Sequence, residues 1–313
     1  MKKARDFPEF FDNSFANAMM VHAEKIGKVK KTHEKVLLLF FIAIIFKLCY
    51  YFRGNVNANA VTGLAEILLK EAMDMIEQYT SEINELVAAC HRVAELGYVA
   101  SSGGNLSMRV DDNLILITPT KTFKRLVTAK DICAVDLDGN TIYAPEGKKP
   151  TGETPFHAMI MNNRKDVVSV VHAHPPILTG FAIADTDILE KMILPEPAIE
   201  VGPAVRVKYA TPISDELSDE FMRVIHKSNF FLMENHGATI CNTHSALEAV
   251  EQMQMMECMA RSVLCAAQLG GIKVLPDAAA QGLCEVLNKR NLAIPGAPGE
   301  YSSLTELYGI DII

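Results

Sequence analysis

Paired cysteines, excess positive charge, an unbroken membrane-length apolar run and internal repeats are all missing from this 313-residue chain. Its seven cysteines, Cys49, Cys90, Cys133, Cys241, Cys258, Cys265 and Cys284, form no C-x-x-C pair and no framework spacing. They read as the reduced thiols of a cytoplasmic protein, acting as small buried hydrophobes. The net charge of −8 leaves no basic footprint for nucleic acid. An anionic substrate would therefore need a local, preformed site. No repeat or low-complexity segment is present, which sets aside solenoid architectures.

A membrane span usually shows about 18 or more uninterrupted apolar residues. The apolar stretch from Val36 to Phe52 is broken by Lys47 and stops short of that. Lys25, Lys28, Lys30, Lys31 and Lys35 precede it, as they would a signal anchor, but no small-residue cleavage site follows. Three roles stay open for residues 1–73: a membrane or interface anchor, a helix buried against the body or a partner, or an upstream segment outside the working protein. Membrane contact is expected only through this extension.

What is present is ordinary globular usage, 49% apolar and 22% charged, on a chain long enough for one large domain or two smaller ones. From Asp74 to Leu96 apolar residues recur every three or four positions, predicting an amphipathic helix that Gly97 stops. "NLSMRV" and "NLILITPT" predict strands, and "DICAVDLDGNTIYA" predicts a hairpin turned at Asp138-Gly139. "ETPFHAMIMNN" has helical spacing, "VVSVVHAHP" is a β-branched strand, and "SDELSDEFMRVIH" starts with a Ser-Asp cap. "NFFLMENHGATIC" predicts a strand with a turn, followed by a long helix that closes at Gly270-Gly271. Together these predict an α/β fold, a three-layer sandwich whose mixed, mostly antiparallel central sheet is flanked by helices. Residues 74–275 form the expected catalytic domain, and 276–313 a surface tail.

His172 and His174 stand at i and i+2 on a predicted strand, so both side chains leave one face, shared with Val168 and Val170. An isolated H-x-H is weak evidence, but burying two imidazoles without a partner is unfavourable. "ENHG" offers a third ligand, His236, at a strand-to-turn corner where Gly237 lets the backbone come close to another segment. Three histidines with an open fourth position make a catalytic divalent site that suits Zn²⁺ and also accepts Mn²⁺ or Co²⁺. Glu153 begins the helix leading back to the histidine strand. Its carboxylate is either a plain helix N-terminal acid or the proton acceptor such a site needs. For an anion, three turns offer small residues: Gly104 and Asn105, Thr120 and Lys121, Thr151 and Gly152.

The order "SSGGNLSMR", "ITPTK", "DICAVDLDGN", "PTGETPFHAMI", "VVHAHPP", "ENHG" and a long helix resembles the class II aldolase/adducin family, and most closely the pattern of its L-fuculose-phosphate aldolases. The spacing agrees: 19 residues from Glu153 to His172 and 62 from His174 to His236. The likeness covers about 200 residues from Asp74 onward. It implies that His172, His174 and His236 hold one divalent metal per subunit and that Glu153 is the general acid/base. It further implies that Gly104, Asn105, Thr120, Lys121, Thr151 and Gly152 hold the phosphate of a sugar phosphate. Lys121 stands where the aldolases usually have glycine, and Gly152 where serine is common. The resemblance implies a lyase that splits a ketose 1-phosphate such as L-fuculose 1-phosphate into dihydroxyacetone phosphate and an aldehyde. It implies a homotetramer with interfacial sites, in which a tyrosine of a neighbouring subunit's loop or of the C-terminal tail helps protonate the leaving aldehyde; Tyr301 and Tyr308 are candidates by position, and a plain surface tail is the other reading of them. Three alternatives within the family are a decarboxylase, an epimerase and a dehydratase. The "THADYF"-like stretch of the 4-epimerases is replaced here by "LPEPAIEVGPAVRVKYATP". The tryptophan segment of the methylthioribulose-phosphate dehydratases has no counterpart in a chain without tryptophan. An adducin-like interaction module would lack the histidines that are present here.

Overall fold

The computed structural model describes residues 77–310, so the expectations for residues 1–73, including the Val36 to Phe52 stretch and Cys49, lie outside the described residues. Helix α1 (Thr80–Glu95) buries Ile83, Leu86, Cys90 and Val93, the three- and four-residue stripe read from the sequence. Gly97 ends it at φ +73°, with Gly97 N–H donating to Ala94 O and Tyr98 N–H to Val93 O, a Schellman closure. Two hairpins follow, β1 (Asn105–Asp111) with β2 (Leu114–Ile117) and β3 (Cys133–Val135) with β4 (Thr141–Tyr143). Next come α2 (Thr154–Asn163), β5 (Ser169–Ala173), α3 (Pro176–Ile183), α4 (Pro195–Glu200) and β6 (Ala204–Val207). Helix α5 (Asp215–Met222), β7 (Phe230–Met233), β8 (Gly237–Asn242) and the 23-residue α6 (Ala246–Gln268) complete the body.

The eight strands form one sheet in the order β4-β3-β2-β1-β5-β8-β7-β6. Every neighbour is antiparallel except β6 and β7, as expected for a mixed, mostly antiparallel sheet. Helices α2 and α5 cover one face, where Phe156, Ile160, Met161, Leu217 and Phe221 meet Ile117, Val135, Val170, Phe231 and Cys241. The Phe156 and Phe221 rings stack with centroids 5.3 Å apart; truncating either to alanine costs about 3–5 kcal/mol. Helices α1 and α6 pack together and against β1, β5 and β8. The two-residue period of β5 serves both layers: Val170 faces α2, while Ser169 donates its hydroxyl to Ser245 O at the start of α6.

Burial pushes the thiols of Cys90, Cys133 and Cys241 up to about 12, so these three behave as inert core atoms. Arg164, 1% exposed, forks onto Asp166 at 2.7 and 2.9 Å. It also donates to Ile225 O, Ser228 O, Asn229 Oδ1 and Gly296 O.

The segment from Pro276, expected as a surface tail, packs onto the body instead. Ala280 and Leu287 of α7 (Ala278–Arg290), with Leu304 and Leu307 of α8 (Leu304–Leu307), bury against Met192, Ala198 and Ile199. The apolar spacing from Ala280 through Leu283 and Cys284 to Leu287 carries this packing, and the Pro-Gly stretch after it is only the connector. Among the described residues no helix is long and apolar enough to cross a membrane.

Candidate metal and acid/base site

Strand β5 delivers His172, and the chain delivers His174 one residue beyond its end, where His174 N–H donates to Tyr98 O at 2.8 Å. Pro175 and Pro176 then start α3, whose first N–H groups, those of Ile177 and Leu178, donate to the buried Glu257 carboxylate at 2.9 and 2.8 Å. A carboxylate from α6 thus satisfies the helix end that follows the histidine pair. Nothing in the spacing of Glu257, one acid among several on α6, marks it in the sequence.

His236 sits in the turn between β7 and β8, where Asn235 adopts φ +54° and His236 N–H closes on Met233 O at 3.1 Å. The turn is pinned from outside. Arg206 Nε reaches Glu234 Oε1 at 3.4 Å, Tyr209 N–H reaches Glu234 Oε2 at 3.2 Å, and Asn235 N–H donates to Ala182 O. Gly237 is needed for the space it leaves. A Cβ there would lie 2.4 Å from His174 Cδ2 and 2.6 Å from Ala173 O.

The three imidazoles converge, with their ligand nitrogens all within 4.8 Å of one another. His172 Nδ1 lies 3.0 Å from Ala238 O, so it carries the proton and Nε2 is left as a bare lone pair. That Nε2 faces His174 Nε2 at 3.1 Å. His236 Nδ1 is buried with no hydrogen-bond partner among the described residues. Burial, and then the neighbouring histidines, hold His172 well below the ordinary imidazole range; burial likewise draws His174 down to about 4. Burial lowers His236 as well, against the opposing pull of Glu153. Neutral, converging imidazoles with one nitrogen already backed by a carbonyl suit a divalent cation.

Glu153 is 8% exposed and occupies the N-cap position of α2, but its side chain caps nothing. Its Oε2 lies 3.7 Å from His172 Nε2 and its Oε1 3.9 Å from His236 Nε2. The carboxylate therefore turns away from the helix end and toward the imidazoles. Asn105 Nδ2 donates to Oε2 at 2.6 Å. Asn105 Oδ1 meets His157 Nε2, and His157 Nδ1 meets Ser107 Oγ at 2.6 Å. Sequence reading missed His157 and Ser107, although each lies one structural period from a residue it singled out: four along α2 from Glu153 and two along β1 from Asn105.

The six anion candidates divide. Gly104, at φ +68°, lies against the His172 backbone, and a Cβ there would sit 2.8 Å from His172 O and 2.7 Å from Val99 Cγ1. Asn105 is engaged by Glu153 and His157. A bridge between Pro119 and Pro150 lays the Thr120 and Thr151 segments side by side. Their N–H groups donate to Lys149 O and Thr118 O, so neither is left for an anion. What these turns present is the exposed Thr120 and the exposed Lys121. Lys121 holds φ +54°, a left-handed backbone where glycine is the easier residue. Beside Gly152, Ile213 Cδ1 occupies the space a Cβ would need, 2.9 Å away.

Lys124, 2% exposed, joins the loops on either side: its Nζ donates to Ser102 O at 3.4 Å and Thr122 O at 3.2 Å. Burial lowers its pKa, while Cys90 and Glu153 pull the other way. Tyr301 and Tyr308 pack against the C-terminal cluster of α4, α7 and α8, where burial raises both phenols.

The sequence and the fold are similar to those of known proteins. The family model described as Class II Aldolase and Adducin N-terminal domain matches residues 84–264. An L-fuculose phosphate aldolase of Methanococcus maripaludis is 35% identical over 50% of this chain and 82% of its own length. A 3-oxo-tetronate 4-phosphate decarboxylase of Haemophilus influenzae is 28% identical over 52% of this chain and 77% of its own. The crystal structure of YgbL from Klebsiella pneumoniae superposes with a TM-score of 0.60 at 25% identity, covering 65% of this chain and 97% of that one.

Proposed function

Because this chain belongs to the class II aldolase and adducin family, we propose that it is a divalent-metal-dependent lyase. It would cleave a ketose 1-phosphate such as L-fuculose 1-phosphate to dihydroxyacetone phosphate and an aldehyde. The observation that carries this reading is the convergence of three neutral imidazoles on a buried carboxylate. Burying those polar groups together is unfavourable unless they hold something, and an interaction module has no use for them.

In this reading His172, His174 and His236 hold the ion, with Zn²⁺ first and Mn²⁺ or Co²⁺ as substitutes. The ion, when bound, supplies Lewis acidity to the carbonyl and hydroxyl oxygens beside the scissile bond. Glu153 moves the proton. Its Oε2 is held by Asn105, so Oε1 is the oxygen that exchanges a proton with the substrate. Thr120, Lys121, Thr151, Gly152 and Gly104 line the side on which the phosphate would rest, with Lys121 adding a positive charge. The ion-holding unit is residues 74–275, and the working form is a cytoplasmic homotetramer.

A second reading, a decarboxylase of a 3-oxo acid phosphate, is supported by the Haemophilus influenzae relative and by the extra charge of Lys121. Both reactions break a carbon–carbon bond beside a carbonyl. The experiment is a panel: L-fuculose 1-phosphate, other ketose 1-phosphates and 3-oxo-tetronate 4-phosphate, each with and without chelator. Dihydroxyacetone phosphate supports the aldolase and carbon dioxide the decarboxylase. Neither product from metal-loaded protein would overturn both.

A further inference from the structure

We propose that His157 is a positioning residue that sets the orientation of the Asn105 carboxamide and, through it, of Glu153. The inference rests on the reading of Glu153 as the acid/base only for its effect on turnover; the hydrogen-bond order itself stands on geometry.

Helix α2 and strand β1 are in step along three rungs. Asn105, Ser107 and Arg109 leave one face of β1 at two-residue intervals. They meet Glu153, His157 and the Met161 carbonyl, four residues apart on α2. Between the first two rungs runs one chain, Glu153–Asn105–His157–Ser107, all four members buried. Its direction follows from the chemistry of the groups. An ionised carboxylate only accepts, so Asn105 must turn its NH₂ to Oε2. Oδ1 then faces His157 Nε2, which must carry the ring proton. In a neutral imidazole Nδ1 is left as the acceptor, and the Ser107 hydroxyl donates to it. Burial of His157, which favours the uncharged ring, agrees.

Reversing the amide would set Oδ1 against Oε2 and two donors against Nε2–H, breaking both ends at once. His157 therefore locks Asn105 in the orientation the carboxylate requires, which holds Oε2 beside His172 and leaves Oε1, facing His236, without a hydrogen bond from the amide. A buried histidine with a purely packing role would place no such demand on the amide.

Two measurements test this. In metal-free protein, long-range ¹H–¹⁵N NMR of the histidine rings should find His157 as the neutral Nε2–H tautomer; an Nδ1–H tautomer overturns the proposal whether or not any substrate is turned over. In metal-loaded protein, His157→Leu should lower kcat about 10- to 100-fold with KM and metal stoichiometry retained. His157→Gln, whose amide can still donate to Asn105 Oδ1, should keep most of the activity. Equal kcat per metal site in the leucine variant and the wild type would reduce His157 to packing. Absence of turnover in the wild type would instead count against the lyase reading, and the tautomer would still decide the hydrogen-bond order.

Discussion

Asn105 and His172 are cross-strand partners, placed opposite each other where β1 pairs with β5. One side chain of this pair reaches Glu153 and the other belongs to the imidazole cluster. The strand register therefore fixes Glu153 relative to the imidazole cluster, and a slip of β1 by one residue would turn Asn105 onto the α1 and α6 face, away from Glu153.

Removing one imidazole should abolish the proposed cation site. His172→Ala and His236→Ala are expected to lose stoichiometric metal by elemental analysis and to lose lyase activity, with the circular dichroism spectrum retained. Stoichiometric metal in both variants would show that the ion sits elsewhere.

Gly237→Ala should act on the metal without touching a ligand atom. The added Cβ meets His174 Cδ2 and Ala173 O at sub-contact distances, so the ring must move. Metal affinity should fall about 10- to 100-fold, read by competition with a chromogenic chelator. An unchanged affinity would mean that the β8 backbone can retreat.

Acid should destabilise the metal-free protein steeply. The His157 pKa is held down at about 3 by burial, against about 6.5 in an unfolded chain. Below about 6.5 the unfolded state takes up a proton that the folded state refuses, so stability is full above that pH and falls as pH drops toward about 3. Each such group contributes about 1.4 kcal/mol per pH unit; His172, His174 and His236 act in the same direction. Urea unfolding across that range should show the His157→Gln slope smaller by one proton. An identical slope would mean that His157 is protonated in the folded protein.

Gly152→Ser should be tolerated. The clash is with Cδ1 of Ile213, the flexible end of a largely exposed side chain, and the Gly152 backbone is not left-handed. Stability should change by less than about 1 kcal/mol, while Lys121→Gly should raise KM for a phosphorylated substrate several-fold. A KM insensitive to Lys121 would remove it from the anion site.

Arg164 should be sensitive to truncation. Its guanidinium joins Asp166, the end of the α5 region and Gly296, and cutting it to alanine leaves several buried acceptors unpaired. A loss of about 3–5 kcal/mol is expected, measured by chemical denaturation. A loss below about 1 kcal/mol would mean that water replaces it.

Much of this was legible in the sequence because the relevant signals are periodic or local. The stripe of α1, the β-branched run ending in His172 and His174, and the Asn-His-Gly corner announce themselves within a few residues. His157 did not, because its partners, Asn105 and Ser107, lie about 50 residues away and meet it only when α2 is laid against β1. Glu257 was hidden likewise, one acid on a long helix whose target is the start of α3. The packing of α7 and α8 was obscured by the Pro-Gly connector between them, which reads as surface extension although the helices on either side carry apolar stripes. The commitment of the Thr120 and Thr151 N–H groups to each other's segments could not be read either, since the Pro119–Pro150 bridge is a long-range pairing.

The side chain that Gly237 lacks also serves as a diagnostic for interpreting other chains. A homologous sequence could keep all three histidines and the glutamate and still gather its imidazoles poorly if that single position carried a side chain, because the ring of His174 would be displaced. Counting the histidines alone would overlook that difference.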